Sequence, residues 1–188
     1  MKPFKTLSFL LFLPAVAMLG CSVASQTSPA GQDKDLATLA SYRKWTLVNP
    51  KPQLMEPLAA LSCAIIPGRQ EGSPHLHKYI NVFVNPVGRE AMMSKQTPKF
   101  PVGSMIVKEK HGSVESMMPE VLTVMIKREA GYNPESGDWE YLVLDGAASR
   151  IVERGKLTRC SSCHDAYERS DFVTRTYLPR EVVQELKP

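Results

Sequence analysis

Tyr79-Ile80-Asn81-Val82-Phe83-Val84-Asn85-Pro86 is rich in aromatic and β-branched residues and ends on a dipeptide that cannot continue a ladder. It reads as a strand, stopped by Asn85-Pro86, with Pro86 suited to the first turn of a helix running to about Ser94. Three further stretches share the signature: Ser104 to Lys110, Val121 to Arg128 and Trp139 to Leu144. Between the last two lies Gly131-Tyr132-Asn133-Pro134-Glu135-Ser136-Gly137-Asp138, dense in turn formers, as a longer loop between antiparallel neighbours requires. A sheet is therefore expected at the centre.

Helices are fewer. Asp35 is placed to cap a helix in which Leu36, Leu39, Ala40 and Arg43 share a face, closed by Trp45 and ending before Asn49-Pro50. Repeated prolines from Pro50 to Pro74 allow only short or irregular helix there, such as 54–64. A helix is expected from about Thr158 to Tyr167, followed by an extended segment from Phe172 to Tyr177. The fold class expected is α+β, a predominantly antiparallel β-sheet with flanking helices.

The N-terminus reads as an export signal. Lys2 and Lys5 are followed by a stretch, Leu7 to Leu19, that is apolar apart from Ser8 and short for a membrane span. Met18-Leu19-Gly20-Cys21 looks like a lipoprotein processing box, with Cys21 the candidate lipidation site, although Met18 replaces the usual Leu and simple cleavage near Ala24 stays open. Three regions are thus expected: 1–20 a signal peptide, 21–35 a flexible tether, and 36–188 one domain of about 150 residues. The formal net charge of +4 falls to +2 once Lys2 and Lys5 are removed, and no basic stripe suggests nucleic acid.

Cys160-Ser161-Ser162-Cys163-His164 carries the chemistry. Two thiols three positions apart with an adjacent imidazole form the attachment sequence of a c-type haem, each thiol adding to one vinyl group and His164 reaching the iron as proximal ligand. A thioredoxin-like pair would call for a βαβ unit, and a zinc site for a second pair of ligands at similar spacing. Cys21 and Cys63 stand too far apart to supply it, and Cys63 reads as a small buried apolar residue. Covalent haem attachment takes place outside the cytoplasmic membrane, so the periplasm is the expected compartment.

A single C-terminal haem sequence behind a strand-rich domain resembles the cytochrome P-460 and cytochrome c′-beta family. The likeness is carried by Ser41-Tyr42-Arg43-Lys44-Trp45, by Tyr79 to Pro86, by Phe100-Pro101-Val102-Gly103-Ser104-Met105-Ile106-Val107-Lys108-Glu109, by Gly137-Asp138-Trp139-Glu140-Tyr141, and by Ser170-Asp171-Phe172-Val173 with Tyr177-Leu178-Pro179. The resemblance implies one covalent haem c packed against the sheet, His164 below the iron, and a homodimer. It also implies one of two activities. P-460 members bond a lysine to the haem edge and oxidise hydroxylamine, with nitric oxide chemistry at the same iron. Their c′-beta relatives lack that bond, and bind nitric oxide or carbon monoxide, or pass electrons to a redox partner protein, beneath aromatic side chains.

Lys108 matches the cross-linking lysine. Alternation places it on one face with Ile106 and Lys110, while Glu109 faces the other way. A lysine near a strand end is equally suited to solvent or an ion pair. Tyr79 and Phe83 share a face of the strand that the resemblance places near the haem, and are the candidate distal pocket or, equally, core. For the sixth iron position His75, His77, Met105, Met117 and Met118 are chemically able, although methionine in strands commonly fills core and His111 beside Gly112 reads as a turn residue. Glu109, Glu153 and Asp165 are the carboxylates to consider as bases, and Arg154 and Arg159 suit haem propionates.

Overall fold

The computed structural model describes residues 29–55, 77–179 and 182. Seven strands form one antiparallel sheet: β1 (Thr46–Leu47), β2 (Gln53–Leu54), β3 (Tyr79–Val84), β4 (Met105–His111), β5 (Val121–Lys127), β6 (Trp139–Asp145) and β7 (Ile151–Gly155). Their order is β1-β3-β4-β5-β6-β7, with β2 also pairing with β3. Among the described residues they are accompanied by the α-helices α1 (Pro29–Leu39), α2 (Arg89–Met93) and α3 (Thr158–His164), the last continued by a 3₁₀ segment over Asp165–Ser170. Among the described residues no helix is long and apolar enough to cross a membrane.

The α+β expectation and the four long strands are met to within a residue or two. Other boundaries differ. The helix expected to start after Asp35 begins at Pro29, so the end of the expected tether is helical and Asp35 lies inside α1. Asp35 is 5% exposed and does not cap. It accepts Arg128 Nη2 at 2.5 Å and Arg154 Nη2 at 2.8 Å. The segment from Phe172 to Tyr177 is not a strand, and β1, β2 and β7 were not expected. The signal peptide, Cys21, Cys63 and His75 lie outside the described residues.

Both faces of the sheet are covered, which fits the near-continuous burial of β4 and the largely apolar run of β5. Directly paired residues share a face, so the register assigns every side chain. One face carries Phe83, Met105, Val107, Leu122, Val124, Ile126, Leu142 and Leu144, packed under Leu39 and Tyr42. The other carries Ile80, Val82, Val84, Ile106, Met125, Trp139 and Tyr141, packed under α2 and the C-terminal residues Val173, Tyr177 and Leu178. Each fully buried large apolar side chain contributes about 1.5–3 kcal/mol by area.

Candidate functional site

The chain turns at Gly155 after β7, and α3 brings the Cys-x-x-Cys-His sequence back over the face that carries Tyr141. Positions 160, 163 and 164 are related by three and four residues, so a single turn of helix places both thiols and the imidazole on one side. Leu157 and Cys160 pack against the cluster on that face, and the His164 ring lies 5.5 Å from the Tyr141 ring, centroid to centroid.

His164 is fixed by its Nδ1, which lies 2.7 Å from the Phe172 carbonyl. The carbonyl can only accept, so Nδ1 carries the proton and Nε2 keeps its lone pair outward. Burial is the main cause that pushes the His164 pKa down to about 4; the Lys108 charge adds to this, and the Phe172 hydrogen bond opposes it. The ring is therefore neutral at ordinary pH.

The carbonyl belongs to an unusual turn. Asp171 (φ 55°) and Phe172 (φ 65°) are consecutive non-glycine residues in the left-handed region. Such positions cost about 1–3 kcal/mol each and persist only where the surroundings over-determine them. Here the Asp171 carboxylate accepts Lys127 Nζ at 2.9 and 2.8 Å and the Phe100 N–H at 2.9 Å, while its backbone carbonyl accepts Trp139 Nε1 at 2.7 Å. The Phe172 ring packs over Gly137, where a β-carbon would meet it at 2.5 Å.

Lys108 stands on the same face as His164. It is paired across the sheet with Val82 and Thr123, its Nζ lies 5.7 Å from the centre of the Tyr177 ring, and its charge is felt at His164. Lys110, next on that face, is buried to 1% exposure.

Tyr79 and Phe83, the residues expected at a distal pocket or in the core, are on the face of the sheet opposite Tyr141 and Lys108. Their direct partners are His111 and Val107, and the Phe83 ring meets Tyr42 edge-on at 5.4 Å between centroids. Alternation along β3 is the reason: Ile80, Val82 and Val84 are the residues directed toward the His164 face. Met105 shares the Phe83 face, Met117 and Met118 are exposed, and His77 is an exposed turn residue at φ 55°.

His111 is the buried last residue of β4, not a turn residue, with Nε2 2.9 Å from Glu109. Glu109 faces away from His164, as expected. Burial raises its pKa, but hydrogen bonds from Tyr42, His111, Arg43 and Asn81 outweigh that and hold it below the usual range. Arg154 is likewise committed elsewhere, to Glu140 at 2.9 Å and to Asp35. Arg159 pairs with Glu153 at the surface. Asp165 is exposed, follows His164 directly, and accepts from Ser136 at 3.3 Å.

Tyr141, Met125, Tyr177 and Asp171 were not singled out from the sequence as site residues. Alternation along β6 makes Trp139 and Tyr141 co-facial, but nothing local to either says which layer covers them. The Tyr141 hydroxyl is buried with no hydrogen-bond partner among the described residues, and burial, then the Cys160 and Asp165 charges, pushes its pKa up. A buried phenol without a partner is a costly arrangement that a further polar group at this place would relieve.

A neutral imidazole fixed from behind by a carbonyl, two thiols on the same helical side, and an apolar wall with one unsatisfied phenol form a donor set chemically suited to a metal-bearing prosthetic group. Residues 40–175 match the family model described as Cytochrome P460, and the chain belongs to that family. Membership makes it a cytochrome and implies a haem cofactor, which the donor set at 160–164 fits chemically. No curated protein matches the chain.

Proposed function

We propose that the chain is an exported mono-haem c-type cytochrome that acts on small nitrogen species, oxidising hydroxylamine or nitric oxide at an open distal iron position. In this reading Cys160 and Cys163 form the thioethers, His164 is the proximal ligand through Nε2, and Lys108 is the lysine bonded to the haem edge. The haem supplies a redox-active iron able to bind nitrogen ligands and pass electrons to a partner protein. The observation that carries the reading is the Nδ1 bond from His164 to Phe172 O, which leaves Nε2 as the donor on the face that also presents Lys108.

The residues have distinct tasks. The Phe172 carbonyl holds the imidazole in one tautomer, the apolar side chains around Tyr141 and Tyr177 keep water from the haem face, and Lys108 brings an amine beside that face. Localisation in the periplasm, lipid on Cys21 and a homodimer belong to the same reading.

A second reading has one observation in its favour: the Lys108 ammonium lies over the Tyr177 ring, a stable arrangement for an unmodified lysine. It is a non-catalytic c′-beta-like cytochrome that binds nitric oxide or transfers electrons. The ferrous absorption spectrum with and without nitric oxide, followed by hydroxylamine turnover with an electron acceptor, separates the two. An ordinary c-type ferrous spectrum with no turnover retires the enzyme reading. Absence of covalent haem in a haem-competent host retires both.

A further inference from the structure

His164 is oriented through one carbonyl, and the residues that set that carbonyl lie on the sheet. The Lys127–Asp171 pair is nearly closed off, with side chains 13% and 5% exposed. Removing two charges from water opposes their attraction, so a buried pair is by itself weak evidence of a stabilising role. Its placement suggests a different role. Lys127 and Trp139 are direct partners across β5 and β6, and both bond to Asp171, one to the carboxylate and one to the backbone carbonyl. The sheet thereby imposes the left-handed turn at 171–172 and aims the Phe172 carbonyl at His164 Nδ1.

We propose that Asp171, held by Lys127, is the positioning residue of the His164 imidazole, setting how strongly Nδ1–H is donated to Phe172 O and hence the donor strength of Nε2 toward the iron. The inference rests on the reading of His164 as the haem ligand. Acceptors behind a ligating imidazole raise its basicity, and a more basic ligand favours the ferric iron. Loosening the turn therefore favours the ferrous form.

The test uses the holoprotein. Asp171→Asn keeps the size of the side chain and an acceptor for the Phe100 N–H but loses the charge that holds Lys127. Lys127→Gln acts from the sheet side, leaves Asp171 bonded to Phe100, and carries the same measurement if Asp171→Asn does not accumulate folded. Each is expected to raise the ferrous-to-ferric ratio about tenfold at fixed ambient potential, about 59 mV for one electron. Each is also expected to lower the iron–histidine stretching frequency of the ferrous protein, and the double variant should shift no further than either alone. Loss of thermal stability with unchanged potential and frequency overturns the inference, because a merely structural pair behaves that way. If the unsubstituted protein carries no haem, this inference and the haem reading fall together; if haem is attached and neither variant moves the potential, this one alone falls.

Discussion

Gly137 has φ 62° and lies against the Phe172 ring, so a side chain there meets both backbone strain and a clash. Gly137→Ala is expected to cost about 2 kcal/mol, a sum of the left-handed penalty and displacement of the ring. A thermal midpoint lower by about 4–8 °C checks it, and an unchanged midpoint refutes the packing described for Phe172. Lys108 supports a sharper test at the same scale. Lys108→Met keeps the stem and removes the amine. If Lys108 is the cross-linking residue, the variant keeps both thioethers but shows an ordinary c-type ferrous spectrum and at least a tenfold loss of hydroxylamine turnover. Identical spectra before and after substitution dismiss the bond.

At the scale of elements, α1 is fastened to the sheet by charge as well as by Leu39. Glu140 accepts Arg128 Nε at 2.7 Å and Arg154 Nε at 2.9 Å, and both arginines also reach Asp35. Burial raises the Glu140 pKa, but hydrogen bonds from Arg154 and Arg128 outweigh it and bring the carboxyl below its ordinary value. A carboxyl depressed in the folded state stabilises above its unfolded pKa, about 4.3, and loses that contribution as pH falls through the lower folded value. Stability is thus expected to be flat toward pH 5 and to fall steeply below about 4. Glu140→Gln is expected to cost about 3 kcal/mol at neutral pH, since it leaves two part-buried guanidinium groups short of a partner, and to flatten the acid limb. Urea unfolding across pH checks both, and an unaltered acid limb would show that the drop arises elsewhere.

The same elements show what the sequence makes legible. β3 to β6 are long, β-branched and bounded by turn formers, so local pattern alone identifies them. β7, Ile151-Val152-Glu153-Arg154-Gly155, has two apolar residues at one end and exists through its pairing with β6, which no local signal reports. The early start of α1 is hidden for a related reason: Asp35 reads as a cap when seen alone, and its partners Arg128, just after β5, and Arg154, in β7, are distant in sequence. The common place of Cys160, Cys163 and His164 on one helix was legible because they lie within five consecutive residues. Alternation correctly put Tyr79 with Phe83 and Lys108 with Ile106, but a sheet buried on both faces has no polar side to mark which is which. The Asp171 turn was not legible at all, since it depends on a lysine and a tryptophan brought alongside by β5–β6 register.

Among the described residues the sheet is covered on both faces, and only the face of Tyr141 carries an unpartnered buried hydroxyl among the sheet residues, which predicts how the molecule responds to loss of the proposed haem. On the face under α1, Leu39, Tyr42 and the inward residues of β4 to β6 are buried together, with Leu36, Trp45 and Ile151 partly buried against them. On the opposite face Leu157, Cys160, Met93 and Phe172 are only partly buried against the cluster, and the Tyr141 hydroxyl has no partner among the described residues. A group bound there adds contacts to that side only, and binding to the native state alone raises its stability. The double variant Cys160→Ser/Cys163→Ser, which removes both proposed attachment points, is therefore expected to lose several kcal/mol. The loss should be one-sided. Amide hydrogen exchange should accelerate in α3 and across 171–178, where local opening is no longer opposed, while β4 and β5, hydrogen-bonded on both edges, keep their protection to within the change in global stability. Equal acceleration in α1 and α3 would mean that the two coverings unfold as one unit, and that the face of Tyr141 is not an independently ordered half of the fold.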